Sequence, residues 1–375
     1  MVEKDENCSM HVVTYTDAEG IGGAEISLGH LVAAVSSNID VTVLGTNQLV
    51  VDAIAHRRPQ ASRIVLPRSG LNSVVAHVVT MHRLHPDVVH LNLCTPWAGA
   101  TGLIAALSLP AARVVRVDQL PLRTTDALQL WRTRTLSLRV DAHVAVGEAS
   151  ARRMEDFYAL GRGSVYSVPN CVPDLGESEP PRIQPDGQLV VGSVGRLNRM
   201  KAHDILLRAM VQVDGVRLAI LGEGEERQAL LQLANELGVS DRLDLRGWVD
   251  NPRAYLSEFD AIALPSRSEG FPLAIVEAML AARPVVATRV GSVSDAVIDG
   301  KTGLLVEKED IDGLAAALRR LRDDPALRDR LGSCSREVAK AHFTVEHMSA
   351  SYESLWHKVL SAPQVPRWRV PRPRD

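Results

Sequence analysis

Short apolar, β-branched runs alternate with longer stretches of helical period along most of the chain. The runs at residues 10–15, 41–45, 63–67, 87–93, 113–118, 142–147 and 164–169 predict strands. Stretches such as 24–36, 73–84 and 147–160 predict helices between them. The alternation breaks at residues 174–187, which are polar, turn-forming and carry three prolines. It restarts with strands expected at 188–195, 217–221, 242–246, 261–265, 284–288 and 303–306. An α/β chain follows, with parallel strands joined by crossover helices in two doubly wound domains. The expected boundaries are 1–175 for the first domain, 176–187 for a linker and 188–344 for the second. A last helix, 345–361, is expected to pack back on the first domain, and 362–375 to form a disordered, basic, Pro- and Arg-rich tail.

Composition narrows the class. The chain has 375 residues and 46% hydrophobic content, enough for two cores. A formal net charge of -3 gives no support for a nucleic-acid binder. Cys8, Cys94, Cys171 and Cys334 stand far apart, without zinc or disulfide spacing. The polar N-terminus is not a secretory signal, and no apolar run nears the ~20 residues of a membrane span. A cytoplasmic chain is expected, with peripheral contact at the inner membrane surface left open. The stretch 123–139 mixes Leu128, Leu130, Trp131, Leu136 and Leu138 with four arginines. It is either a basic helix facing membrane or acceptor, or, as the favoured reading, a helix whose apolar residues pack on the sheet.

In open parallel sheets ligands bind beyond the carboxyl ends of the strands. After the strand at 188–195 come Arg196 and Lys201, two cations placed where a diphosphate could be clamped. After the strand at 261–265 comes Ser266-Arg-Ser-Glu269-Gly270-Phe271-Pro272-Leu273, with Glu277 eight residues beyond Glu269. Pro272 suits the first turn of a helix, whose free N–H groups make an anion seat. Glu277 is set among apolar neighbours, where a carboxylate needs a partner. Either vicinal ribose hydroxyls or an internal ion pair would serve. The only D-x-D, Asp310-Ile-Asp312, precedes a helical run and reads as capping, so no metal site is expected.

Four motifs stand in register: Gly195-Arg-Leu-(x)3-Lys201, Leu221-Gly-Glu-Gly224, Arg246-Gly247-Trp248-Val249 and Ser268-Glu-Gly-Phe-Pro-(x)4-Glu277-Ala-Met279. Together they resemble the retaining GT-B glycosyltransferases of family 4 (glycosyl transferases group 1), most strongly from about 187 to 332. The resemblance implies two Rossmann-like domains facing a cleft. It implies transfer of a sugar, with retention and without a metal, from a UDP- or GDP-linked donor to an acceptor hydroxyl. The donor is a substrate, so no cofactor is implied. Arg196 and Lys201 would hold the diphosphate, Glu269 the donor sugar and Glu277 the ribose. Gly270, Phe271, Pro272 and Leu273 would line sugar and phosphate through their backbone. Gly247, Trp248 and Val249 would lie against the base, although Trp248 could equally be packing. Gly23, in the glycine-rich loop after the first strand, would let the backbone approach the donor.

Two departures from the family pattern stand out. Asp118 occupies a position after the fifth strand where family members often carry a histidine assigned to the reaction centre, so it enters as a candidate catalytic group. Cys171 follows Asn170 where glycine is common. His90 and Asn92, at the end of the fourth strand, are acceptor-side candidates; for His90 an ordinary hydrogen-bonded histidine beneath the loop is the favoured reading. Rival functions are a nucleotide-sugar epimerase or hydrolase, and a non-catalytic subunit that binds nucleotide sugar.

Overall fold

The structure, a computed structural model, describes residues 10–176 and 188–367. The chain divides into two compact units, one of residues up to Cys171 together with those from Val345 onward, the other Val172–Thr344. The expected linker falls almost wholly outside the described residues.

The first unit holds β1 (His11–Thr16), α1 (Gly23–Ala34), β2 (Asp40–Gly45), α2 (Gln48–Ala55), β3 (Ser62–Val65), α3 (Leu71–Leu84) and β4 (Val88–Leu93). It continues through α4 (Ala100–Leu107), β5 (Arg113–Asp118), α5 (Ala127–Ser137), β6 (Ala142–Ala145), α6 (Glu148–Tyr158) and β7 (Val165–Ser167). All pairings are parallel, in the order β3-β2-β1-β4-β5-β6-β7. The winding reverses between β1 and β4, so the glycine loop after β1 sits at the switch point.

β2, β4, β5 and β6 are buried on both faces, which explains their unbroken apolar runs, whereas the edge strand β3 is largely exposed. One face packs on α3, α4 and α5 through a core that includes Tyr15, Met81, Leu91, Leu93 and Leu103. In α5, Leu136 packs against this core and Leu130 against a second cluster around Met154, while Leu128 and Trp131 are 72% and 66% exposed. The favoured reading of all these residues as sheet packing thus holds for only part of the helix.

The second unit contains β8 (Leu189–Val194), α7 (His203–Val211), β9 (Val216–Leu221), α8 (Arg227–Glu236), β10 (Leu243–Gly247), β11 (Ala261–Leu264) and α9 (Leu273–Leu280). Then follow β12 (Val285–Thr288), α10 (Val293–Ala296), β13 (Gly303–Val306), α11 (Ile311–Asp323) and α12 (Pro325–His342). Its parallel sheet runs β10-β9-β8-β11-β12-β13, with the reversal between β8 and β11.

The chain ends with α13 (Val345–Ser361), which packs on α1 and β5 of the first unit. Its Tyr352 and Trp356 rings meet the His90 ring edge-on at 5.0 and 5.8 Å. The tail is fastened beyond its expected start. Gln364 Nε2 donates to Ala112 O at 2.9 Å, and the backbone N–H of Val365 to Asp141 Oδ1 at 2.9 Å. Arg367 is buried and also donates to Asp141. Residues 362–367 are therefore ordered against the first unit, and 368–375 lie outside the described residues.

Candidate nucleotide-sugar site

In the second unit the switch point brings together the segments that follow β8 and β11. A backbone bond welds them, Arg267 N–H donating to Met200 O at 2.7 Å, and Thr288 Oγ1 at the end of β12 donates to Ser266 O at 2.5 Å. The Arg267 side chain completes the weld. It donates from both terminal nitrogens to Asp204 at 2.9 and 2.8 Å, and from Nε to Glu309 at 2.6 Å. These bonds hold its guanidinium charged, above its ordinary pKa.

Two glycines permit the closeness. A Cβ on Gly222 (φ +155°) would lie 1.9 Å from Gly195 O, so only glycine lets the segment after β9 press on the segment after β8. At Gly291 (φ +53°) a Cβ would stand 1.8 Å from Glu269 O. Its neighbour Ser292 donates its N–H to Gly270 O at 2.9 Å, holding the turn before α9.

Lys201 and Glu269, expected on chemical grounds to share a ligand, meet directly. Lys201 Nζ lies 2.7 Å from Glu269 Oε1, and Ser266 Oγ donates to the same oxygen at 2.6 Å. Arg196 is exposed and makes no hydrogen bond or ion pair among the described residues.

Phe271 is buried and packs on Phe343, ring centroids 5.3 Å apart, so its side chain belongs to the core and only its backbone is presented. Pro272 precedes α9 as its N-cap, and Leu273, not Pro272, is the first helical residue. No side chain caps that helix start.

Glu277 is half-buried in the middle of α9 and makes no hydrogen bond or ion pair among the described residues. Arg253 acts on it at longer range than an ion pair. Burial holds its carboxyl above the usual carboxylate range, with Arg253 pulling the other way. Gly247 ends β10, and its carbonyl accepts from the Gly222 N–H at 2.8 Å. Trp248 is 63% exposed and donates Nε1–H to Asp250 at 3.0 Å, so it is not a packing residue; Val249 beside it is half-buried. Asp310 caps α11 by accepting from Gly313 N–H at 2.8 Å, and Asp312 accepts from Gln212 Nε2 at 2.8 Å.

In the first unit, Gly23 opens α1, and a Cβ there would meet nothing within 4 Å. Glu25 is buried and folds back to accept the Gly22 N–H at 3.0 Å.

Three other candidates face inward. Asp118 is fully buried; Arg116 Nε donates to its Oδ1 at 3.0 Å and Tyr158 Oη to its Oδ2 at 2.6 Å. Its carboxylate is consumed by that network, which corrects its assignment as a catalytic group. His90 is 1% exposed, enclosed by Tyr352 and Trp356, and desolvation lowers its pKa to about 3. Its Nδ1 has no hydrogen-bond partner, so it is a neutral packing ring: the favoured reading of an ordinary interior histidine holds, without the hydrogen bond expected of it, and the acceptor-side one does not.

Asn92 is likewise interior. It accepts from Gln119 Nε2 at 2.7 Å and donates to Ala24 O at 3.2 Å. Gln119 in turn accepts from Asn170 Nδ2 at 2.8 Å, and Asn170 accepts from Ser27 Oγ at 2.7 Å. Asn92 thus belongs to a buried polar chain that fixes the start of α1. Cys171, next to Asn170, is a buried thiol outside any disulfide, its Sγ donating to Pro169 O at 3.4 Å and its pKa pushed up to about 12 by desolvation.

The roles of Ser266, Arg267 and Gly291 were not anticipated. Ser266 and Arg267 lie within the motif, but their partners, Glu269, Asp204 and Glu309, are specified only by the fold.

Residues 177–338 match the sequence profile of the family described as Glycosyl transferases group 1. The lipopolysaccharide core biosynthesis glycosyltransferase LpsD of Rhizobium meliloti (strain 1021) is 36% identical over 174 residues, 46% of this chain and 51% of that protein. LpsE of the same organism, with the same description, is 29% identical over 346 residues, 89% of this chain and 95% of that protein. The chain spans about half the length of LpsD and of several other curated relatives, and nearly all of LpsE. Among solved structures, Anabaena HepE in complex with UDP-glucose has a TM-score of 0.81 at 20% identity, over 93% of this chain and 100% of that one. That likeness shows the fold, and the expected GT-B architecture of two Rossmann-like units is the one observed.

Proposed function

We propose, for a chain whose residues 177–338 belong to the glycosyl transferases group 1 family, that it transfers a sugar from a nucleoside-diphosphate donor to an acceptor hydroxyl with retention and without a metal. The observation that carries this reading is Glu277, a half-buried carboxylate with no hydrogen bond or close ion pair among the described residues, on the helix that follows the switch-point strand β11. A carboxylate so placed accepts two hydrogen bonds at once, which suits the vicinal hydroxyls of a ribose. A uridine diphosphate donor is favoured over a guanosine one because HepE was solved with UDP and with UDP-glucose.

In this reading Arg196 supplies an uncommitted guanidinium to the diphosphate. Lys201 exchanges its bond to Glu269 for a phosphate oxygen, which frees Glu269 for hydroxyls of the sugar. The uncapped N–H groups at the start of α9 and the backbone of residues 270–273 face the same anion. Negative charge grows on the leaving diphosphate in the transition state, and fixed cations there lower the barrier. The acceptor hydroxyl attacks from the face the diphosphate leaves, and the departing phosphate takes its proton, so no side-chain base is needed. Gly247, Trp248 and Val249 lie along the base.

The test is a thermal-shift panel of UDP-, GDP- and ADP-linked sugars on wild type and Glu277→Ala. A true donor raises the wild-type midpoint by mass action, by about 2.7 kcal/mol at a hundredfold excess over Kd. Loss of that shift in the variant supports the ribose assignment, and an equal shift in both removes it. Product analysis with and without acceptors then separates transfer from epimerisation or hydrolysis.

A further inference from the structure

The loops after β1 and β4 meet at the switch point of the first unit, and they bring together two side chains with no part in holding the donor. Asp17 follows β1, and its Oδ2 accepts the backbone N–H of Gly99 at 2.6 Å. Trp97 stands two residues before Gly99, in the loop that joins β4 to α4. That loop is held from within and from its other side. Ala98 N–H donates to Thr95 O at 3.1 Å, and Leu120 N–H, just after β5, to Cys94 O at 3.0 Å. The Asp17 carboxylate and the Trp97 indole are thus carried on one tied frame at the carboxyl edge of a parallel sheet, where ligands bind.

Both groups have capacity to spare. Asp17 Oδ1 and Trp97 Nε1 make no hydrogen bond among the described residues, and both are open to solvent. Trp97 meets no other aromatic ring among the described residues. Both side chains belong to half-buried residues, so little freedom is left to lose when a ligand is held there. The glycine loop that follows Asp17 leaves room beside them, since a Cβ on Gly20 or Gly23 would meet nothing within 4 Å.

An indole and a carboxylate on adjoining loops suit a sugar ring. The C–H bonds on one face of a pyranose meet the electron-rich face of the indole, whose N–H donates at its edge. With Oδ2 keeping its bond to Gly99, the carboxylate still accepts from two hydroxyls. Charge argues for a neutral sugar over a phosphorylated one. The cations that Asp17 acts on, Arg68 and Arg116, are already paired, with Glu19 and with Asp118. A phosphate ester beside them would face the uncompensated carboxylate of Asp17.

We propose that Asp17 and Trp97 hold the acceptor and that the acceptor is a neutral pyranose, Trp97 stacking on its ring face and Asp17 accepting from its hydroxyls. This subsite rests on the transfer reading above, of which it names the second substrate.

The probes are the methyl glycosides of glucose, galactose, mannose and N-acetylglucosamine, set against the phosphate esters of glycerol and glucose. Transfer from the donor found by the thermal-shift panel is measured on wild type, Trp97→Ala, Trp97→Phe and Asp17→Asn. The last of these keeps an oxygen for the Gly99 N–H and loses the second. At least one methyl glycoside should accept sugar, and Trp97→Ala and Asp17→Asn should raise its KM at least about tenfold with kcat within about threefold. Trp97→Phe, which keeps a ring face, should recover most of that loss. The thermal shift given by the donor should be the same in every variant. Saturation-transfer spectra of the glycosides with UDP present read binding without reaction, and signal on the C–H protons of one ring face is expected, absent in Trp97→Ala. An unchanged KM in Trp97→Ala, a preference for the phosphate esters, or no glycoside binding to the wild type would each overturn the subsite. A normal donor shift alongside such a result leaves transfer standing. A donor shift missing from the wild type fails the transfer reading instead, and the saturation-transfer spectra still decide the subsite.

Discussion

Lys201 Nζ sits 2.7 Å from Glu269 Oε1, across 68 residues of sequence, with Ser266 Oγ on the same oxygen. The pair is partly exposed, side chains at 21% and 9%, so its own contribution to stability is small, on the order of 1 kcal/mol or less. Its value lies in storing a cation and a carboxylate in register. Lys201→Met should therefore lower the melting midpoint by no more than about 4 °C while weakening donor binding at least about tenfold. Isothermal titration with the donor found by the thermal-shift panel, alongside scanning calorimetry, measures both; a large loss of stability with unaltered affinity would assign the pair to the fold alone.

Glu277 should behave in the opposite sense. Its carboxyl is raised by burial, so the unfolded chain loses that proton at lower pH than the native chain does. Stability is unpenalised below the ordinary carboxylate pKa and falls as pH rises from there through the raised value. Glu277→Gln should then match wild type near pH 4 and melt higher than wild type at pH 7.5, even as nucleotide-sugar binding is lost. Melting curves at the two pH values decide it, and a variant less stable at pH 7.5 would contradict the absence of a partner.

Asp118 is expected to matter for folding and not for transfer. Asp118→Ala leaves Arg116 buried without its counter-charge, a loss of about 3–5 kcal/mol. Asp118→His, which restores the residue common in the family, should destabilise as well, because an imidazole cannot accept from both Arg116 and Tyr158. Denaturant melts report the loss, and donor affinity measured at low temperature on the folded fraction should match wild type.

His90 offers a pH signature. Its native pKa is lowered to about 3, against an ordinary value of 6.5. The unfolded chain takes up a proton that the native chain refuses, so stability is complete above 6.5 and lost as pH falls toward the native value. His90→Phe keeps the ring among Tyr352 and Trp356 and removes that proton. Between pH 6 and 4 its stability should fall less steeply, by about 1.4 kcal/mol per pH unit. Urea melts across that range would show parallel slopes if His90 were protonated in the native state.

How far the sequence led can be judged from these same residues. Strand alternation was legible because parallel strands buried on both faces make unbroken apolar runs. The segments after β8 and β11 were legible because glycine, proline and charge cluster there for chemical reasons. The surroundings of His90 and Asp118 were not legible, for one reason. A strand period of 2 tells which residues share a face, not which layer covers it. His90 is covered by a helix more than 250 residues later, and Asp118 is claimed by Tyr158, 40 positions away. Local sequence carries no mark of either partner. Similarly, α5 showed its composition but not that Leu128 and Trp131 point outward.

The first unit is assembled from two separated pieces of chain, and the second from one. On the ribosome, the central unit can complete its sheet as soon as Thr344 has emerged. The one begun earlier must wait: until α13 is made, the strand surface around His90 stays open to solvent and to chaperones. A nascent chain stalled just short of Val345 should thus hold a finished second unit and an unfinished first one. Limited proteolysis of such stalled chains would cleave the older half first.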